Sequence, residues 1–104
     1  LAYANDLSYN KVFVEQLKNF LQPGDVVIGI SGSGNSENVL QAISYAKEKG
    51  ALTIGLTGFD GGKLARLADV PLVASVNDMQ KVEDVHMIAV HMLMQYLCKS
   101  LASN

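Results

Sequence analysis

Two regimes of apolar spacing alternate along the 104 residues, and the switches between them mark out the elements. In NKVFVEQLKNFL, from Asn10 to Leu21, Val14, Leu17, Phe20 and Leu21 share one face at helical spacing, and Pro23-Gly24 stops the helix. DVVIGI, from Asp25 to Ile30, is short, continuous and β-branched, the pattern of a strand covered on both faces in a parallel sheet. From Ser36 the segment SENVLQAISYAKEKG returns to helical spacing. It has a hydroxyl at the N-cap position, an acid in the first turn, apolar residues at Val39, Leu40, Ile43 and Ala46, and Gly50 at its end. Ala51 to Gly58 reads as a second buried strand, FDGG as a turn, and Lys63 to Ala68 as a short helix. Val70 to Val76 is a third strand, whose Pro71 is tolerated only at a strand start or a sheet edge. A final helix runs from about Met79 to Leu101, with Val82, Val85, Ile88, Val90, Met92, Leu93, Met94 and Leu97 around much of its circumference. A helix apolar nearly all round is buried by neighbours. A partner chain or further residues must therefore cover it.

Strands alternating with helices imply right-handed crossovers and a parallel sheet with helices on both faces. The fold class is α/β, a three-layer, doubly wound sandwich forming a single domain over residues 1–104. Three strands are few for such a sheet, and the chain opens on Leu1 with no strand before its first helix. The expectation is a domain incomplete at its N-terminus. With 49% hydrophobic and 17% charged residues the composition is that of a folded, cytoplasmic protein. A net charge of -2 without any Lys/Arg cluster argues against nucleic acid as a partner. No uncharged apolar run approaches the ~18 residues needed to span a bilayer, so no membrane association is expected. The lone Cys98 excludes an internal disulfide and a thiolate metal cluster, and its neighbours Met94, Leu97 and Leu101 predict a buried, inert thiol.

The chemistry concentrates in GISGSGNSENV, Gly29 to Val39, between the first strand and the next helix. At the carboxyl end of a parallel strand, a glycine-rich loop entering a helix offers free backbone N–H groups and the positive end of the helix dipole to an anion. Ser31, Ser33 and Ser36 add hydroxyl donors, and Gly32 and Gly34 permit close approach of the backbone. A phosphate monoester suits such a cup; the alternative is a plain polar turn with Ser36 as helix cap. The loop lacks the third glycine of a dinucleotide fingerprint and the Gly-Lys-Ser/Thr of a P-loop. A flavodoxin-like FMN loop is a closer rival, although a flavodoxin begins with that strand and no Trp is present to cover a flavin. No nucleotide cofactor is therefore expected on the leading reading.

Four segments together resemble the sugar isomerase (SIS) domain, and within it the phosphoheptose isomerases. They are NDLSYNKVF near the start, LQPGDVVIGIS before the loop, the long run from the loop through TGFDGGK to VPL, and KVEDVHMIAVHMLMQYL in the last helix. They cover nearly the whole chain in the family's order. The resemblance implies an isomerase that interconverts sedoheptulose 7-phosphate and glycero-manno-heptose 7-phosphate. A non-catalytic phosphosugar-binding relative, regulatory or adaptor in role, and an FMN-binding protein remain the alternatives.

Residue by residue, the resemblance implies that Ser31, Ser33 and Ser36, with the Gly32 backbone, hold the sugar phosphate, and that Asp6 contacts sugar hydroxyls. His91 matches the family's acid/base histidine, a role that suits an imidazole near neutral pH. Family members assemble as dimers or tetramers, so a homo-oligomer, homotetramer included, is implied. Some carry zinc, for which His91 and the residue eight before it would be ligands. That residue is Gln in the family and Glu83 here, a charge that would alter both metal binding and proton transfer. His86 is expected to pack or to hold a hydrogen bond. The family's upstream strand, second serine-glycine loop and helix with a His and a Glu have no counterpart in these residues, so the chain supplies only part of the family's site.

Overall fold

A computed structural model describes residues 12–102 of the chain. Seven elements follow one another: α1 (Val12–Phe20), β1 (Val26–Ile30), α2 (Glu37–Glu48), β2 (Leu52–Gly58), α3 (Gly62–Leu67), β3 (Val70–Ala74) and α4 (Met79–Ala102). The strands form a parallel sheet in the order β1-β2-β3, with Val26 opposite Leu52 and Ile54 opposite Val70. This is the expected α/β arrangement. Pro71 falls in an edge strand, where its missing N–H interrupts no second ladder. The third strand ends at Ala74, two residues before the periodicity suggested.

Period two along each strand assigns the two faces of the sheet. Side chains at odd positions of β1 and β2 meet α2 and α3. There Gly55 leaves room for Leu64 and Ala68, and Leu40, Ile43, Leu64 and Ala68 form the buried cluster. Two crossovers of one hand place α2 and α3 on the same side of the sheet. Even positions face α4. Val82 packs on Gly58, and Ala89, Leu93 and Tyr96 share a cavity of about 420 Å³ with Ile54, Leu56, Val70 and Leu72. Along α4 these contacts move from the carboxyl ends of the strands toward their beginnings, so the helix runs antiparallel to the sheet.

Helix α4 buries Leu56 of β2 but leaves Val70 and Leu72 of β3 48% and 43% exposed, and the even face of β1 is bare, with Val26, Ile28 and Ile30 54%, 43% and 49% exposed. Its own outer side is also uncovered, with Met87, Met94, Leu97 and Leu101 exposed. The expectation that Cys98 is buried is not met, for its thiol is exposed. At ~100° per residue, position 98 lies about 160° around the helix from Val82, and only the Val82 side is packed on the sheet. The apolar neighbours that predicted burial are themselves on the open side. No helix among the described residues is long and apolar enough to cross a membrane.

Candidate functional site

The serine loop sits at the carboxyl end of β1, where Ser31 N–H still donates to Leu56 O on β2 and so fixes the point at which the strand releases the chain. Ser31 is buried, and its hydroxyl organises the loop from inside. Its Oγ accepts the Gly34 N–H at 3.1 Å and the Ser36 N–H at 3.4 Å, and lies 2.9 Å from Ser36 Oγ. With both lone pairs engaged, the Ser31 hydroxyl proton goes to Ser36 Oγ, and the Ser36 O–H is left to donate elsewhere. Ser33 is exposed; its Oγ accepts the Asn35 N–H at 3.1 Å, which likewise frees its O–H.

Ser36 occupies the N-cap of α2 with extended backbone, yet its side chain makes no cap bond. The hydroxyl that would close the helix end is turned to Ser31. Among the described residues, the N–H groups of Gly32, Ser33, Glu37 and Asn38 make no hydrogen bond, whereas that of Val39 is taken by Asn38 Oδ1. Glu37, the one acid in the first turn, accepts from Gln41 Nε2 one turn further on. Free N–H and O–H donors, a helix N-terminus and no competing cap are what a phosphate monoester requires.

Neighbouring elements confine the loop on two sides. Met79, at the start of α4, lies against Gly32, where any Cβ would strike its sulfur. On the other side the turn after β2 touches Gly34, which has φ +74°; a Cβ there would collide with the Gly61 carbonyl oxygen.

Of the remaining predicted residues, the two that are described, Glu83 and His91, are not gathered at this cup. Asp6 lies outside the described residues. On α4, Val82, His86, Ala89, Leu93 and Tyr96 stay within about 40° of one line along the helix, the line that faces the sheet, at ~100° per residue. Glu83 lies about 100° from that line and His91 about 180°, and both are exposed. His91 is also ~18 Å along the axis from Met79, at ~1.5 Å per residue. It points away from its own sheet and is remote from its own serine loop. His86, in contrast, is buried, with Nε2 2.7 Å from Thr57 O.

Glu83 and His91 do not by themselves make a metal site. They are separated by ~12 Å of axial rise, and the described residues contain no cluster of three or more His, Cys, Asp or Glu able to hold a metal ion. An apolar groove of about 490 Å³ along the outer edge of β1, lined by Phe13, Leu17, Phe20, Val27 and Ile43 among others, has Gln16 as its one polar side chain and no charged group to hold phosphate.

Asn35 is the participant that spacing did not single out. Its Oδ1 accepts the N–H of Lys63, a residue 28 positions away across the loop–turn contact. The only trace in the sequence is an Asn inside a glycine-serine loop and a Gly-Gly pair in a later turn.

The three described strands form an all-parallel α/β sheet with a donor-rich loop at the carboxyl end of β1, the place where α/β folds commonly bind ligands. The chain belongs to the SIS domain family, whose profile matches residues 3–96. It is 42% identical to the phosphoheptose isomerase of Aliarcobacter butzleri over 97% of this chain and 53% of that protein. Identity is also 42% to the phosphoheptose isomerase of Geotalea daltonii, over 96% of this chain and 52% of the relative. Among solved structures, the phosphoheptose isomerase of Neisseria gonorrhoeae superposes with a TM-score of 0.90 at 35% identity, over 94% of this chain and 55% of its own. That of Francisella tularensis gives 0.83 at 28% identity, over 88% and 50%. The chain thus spans about half the length of the relatives it matches.

Proposed function

We propose that this chain is the phosphate-binding part of a phosphoheptose isomerase that interconverts sedoheptulose 7-phosphate and glycero-manno-heptose 7-phosphate in the cytoplasm. The observation that carries the reading is the serine loop itself: Ser31 spends its hydroxyl on the loop, while Ser33, Ser36 and the Gly32 N–H keep their donors for a ligand. Relatives at 42% identity that bear this enzyme's name support the choice of sugar.

In this reading the cup anchors the phosphate and Asp6 contacts sugar hydroxyls. A base removes the proton from the carbon beside the carbonyl, and the resulting enediol is reprotonated on the neighbouring carbon, which exchanges aldose for ketose. His91 is the proposed acid/base group, since an imidazole both gives and accepts a proton near neutral pH. An extended heptose phosphate reaches only about 10 Å from phosphorus to C1, given bonds of ~1.5 Å. His91, ~18 Å along α4 and on its outer side, cannot serve the cup of its own chain. It serves that of a neighbouring chain, so the active form is a homo-oligomer, and the bare faces of β1 and α4 are the surfaces available for its assembly. A zinc ion on Glu83 and His91 needs further ligands from outside the described residues, and no step here depends on one.

The test is incubation of the intact protein with sedoheptulose 7-phosphate. A new heptose phosphate supports the proposal, and its absence at saturating substrate counts against it. A second reading, a non-catalytic phosphosugar-binding module, follows from the resemblance, which implies an uncharged Gln where this chain carries Glu83. Saturable sugar-phosphate binding without turnover would select that reading.

A further inference from the structure

Backbone carbonyls decide whether a glycine-rich loop attracts anions or cations, because a peptide flipped by half a turn presents oxygen where it had presented N–H. Two carbonyls in the serine loop have this power, those of Gly32 and Gly34. Each is drawn outward by the neighbouring strand and turn: Gly32 O accepts from Gly58 N–H at 2.8 Å, and Gly34 O from Leu64 N–H at 2.9 Å. Asn35 makes the third link, its Oδ1 accepting the Lys63 N–H at 3.0 Å while its own N–H donates to Ser33 Oγ. The turn is shaped for this contact. Gly61 and Gly62 both have positive φ, and a Cβ on Gly62 would come within 2.5 Å of the Ser33 carbonyl oxygen. Asp60 Oδ1 accepts the Gly62 N–H and braces the turn from within.

We propose that Asn35 is a positioning residue for phosphate binding: with the 58–64 turn it holds the loop carbonyls outward and keeps the Ser33 hydroxyl, through the Asn35 N–H, set as a donor. The inference rests on the phosphate-cup reading above and adds to it the part that gives the cup its sign. Asn35 itself touches no phosphate. Its amide side chain is the only side-chain link between loop and turn among the described residues, and it is exposed, so its removal leaves the core intact.

The experiment compares the intact protein with Asn35→Ala and Asn35→Asp. Both inorganic phosphate binding, by calorimetry, and sedoheptulose 7-phosphate kinetics are measured. In Asn35→Ala the dissociation constant for phosphate and the KM for the sugar phosphate rise together by about tenfold, the worth of one well-placed hydrogen bond, while kcat changes by less than about twofold. Asn35→Asp retains an acceptor for the Lys63 N–H and, at salt high enough to screen its added charge, recovers most of the lost affinity. A merely structural residue would lower Tm and amplitude without this parallel shift in the two phosphate affinities. Asn35→Ala binding phosphate as the unaltered protein does, or Ala and Asp variants losing equally, would overturn the proposal. Should Asn35→Ala not fold, Asn35→Ser, whose hydroxyl is too short to reach Lys63, carries the same comparison. Phosphate binding that depends on Asn35 in a protein without turnover would sink the isomerase reading and leave this one standing; turnover in Asn35→Ala with KM and phosphate affinity both unchanged would do the reverse.

Discussion

His86 donates from Nε2 to the carbonyl oxygen of Thr57 over 2.7 Å, across the interface between α4 and the last turn of strand β2. A carbonyl can only accept, so the ring proton sits on Nε2. The bond fixes the rotation of α4 about its axis and with it the outward direction of His91, five residues on. The two histidines of one helix therefore differ in setting, His86 buried against the sheet and His91 exposed on the opposite side.

Replacing His86 by Ala leaves the buried Thr57 oxygen without its partner, and stability is expected to fall by about 1–3 kcal/mol. Turnover per folded molecule should stay near that of the parent protein. His91→Gln should behave oppositely: Tm unchanged, and kcat in the intact protein lower by roughly 10² to 10⁴-fold with little change in KM. Thermal melts beside steady-state kinetics check both. Loss of turnover in the His86 variant alone would reverse the assignment.

The side chain of Thr57, on the opposite face of β2, supplies a second test. Its Oγ1 is fully buried and has no hydrogen-bond partner among the described residues. An unpaired hydroxyl in that setting costs about 1 kcal/mol or more. Thr57→Val, which keeps the branched shape and leaves the carbonyl to His86, is expected to raise stability by about that amount in denaturant titration.

Acid stability should depend on Asp69. Its carboxylate accepts hydrogen bonds from the Thr53 backbone N–H and hydroxyl, and these, aided by the Lys47 ammonium at 3.6 Å, hold its pKa below the ordinary aspartate value. A depressed folded-state pKa contributes stability that is present above the unfolded value near 3.8 and is lost as pH falls through the folded one. The advantage of the parent protein over Asp69→Asn should therefore be full at neutral pH and shrink in acid below about pH 4. Melting temperatures of both proteins across that range provide the check; an advantage that grew in acid would contradict it.

Much of this architecture was legible because local pattern and tertiary context agree. The stop at Pro23-Gly24 and the edge position of Pro71 each have one physical solution, and the structure adopts it; the β-branched run before the serine loop forms the expected strand, but among the described residues only one of its faces is covered. The face of α4 was harder. Apolar residues circle that helix, so periodicity could not say which side meets the sheet, and Cys98 was assigned to the wrong environment. The loop was legible as a hydroxyl-rich turn at a strand's carboxyl end but not in its division of labour. Three serines look alike in sequence; only the fold shows Ser31 turned inward and Ser36 released from its cap. The Asn35–Lys63 link depends on a contact between two βα turns, which no local pattern encodes.

The central claim is that the donors of Ser33 and Ser36 hold the phosphate of a heptose undergoing isomerisation, and heptose phosphate formation by the intact protein and its Ser33→Ala/Ser36→Ala double variant tests it most directly. The parent should convert sedoheptulose 7-phosphate to its aldose isomer. The double variant should fold but bind the sugar phosphate more weakly by about 3–6 kcal/mol, since hydrogen bonds to a charged group contribute about 1.5–3 kcal/mol each. A parent protein that forms no aldose isomer, or a double variant with unchanged affinity for the sugar phosphate, would contradict the account.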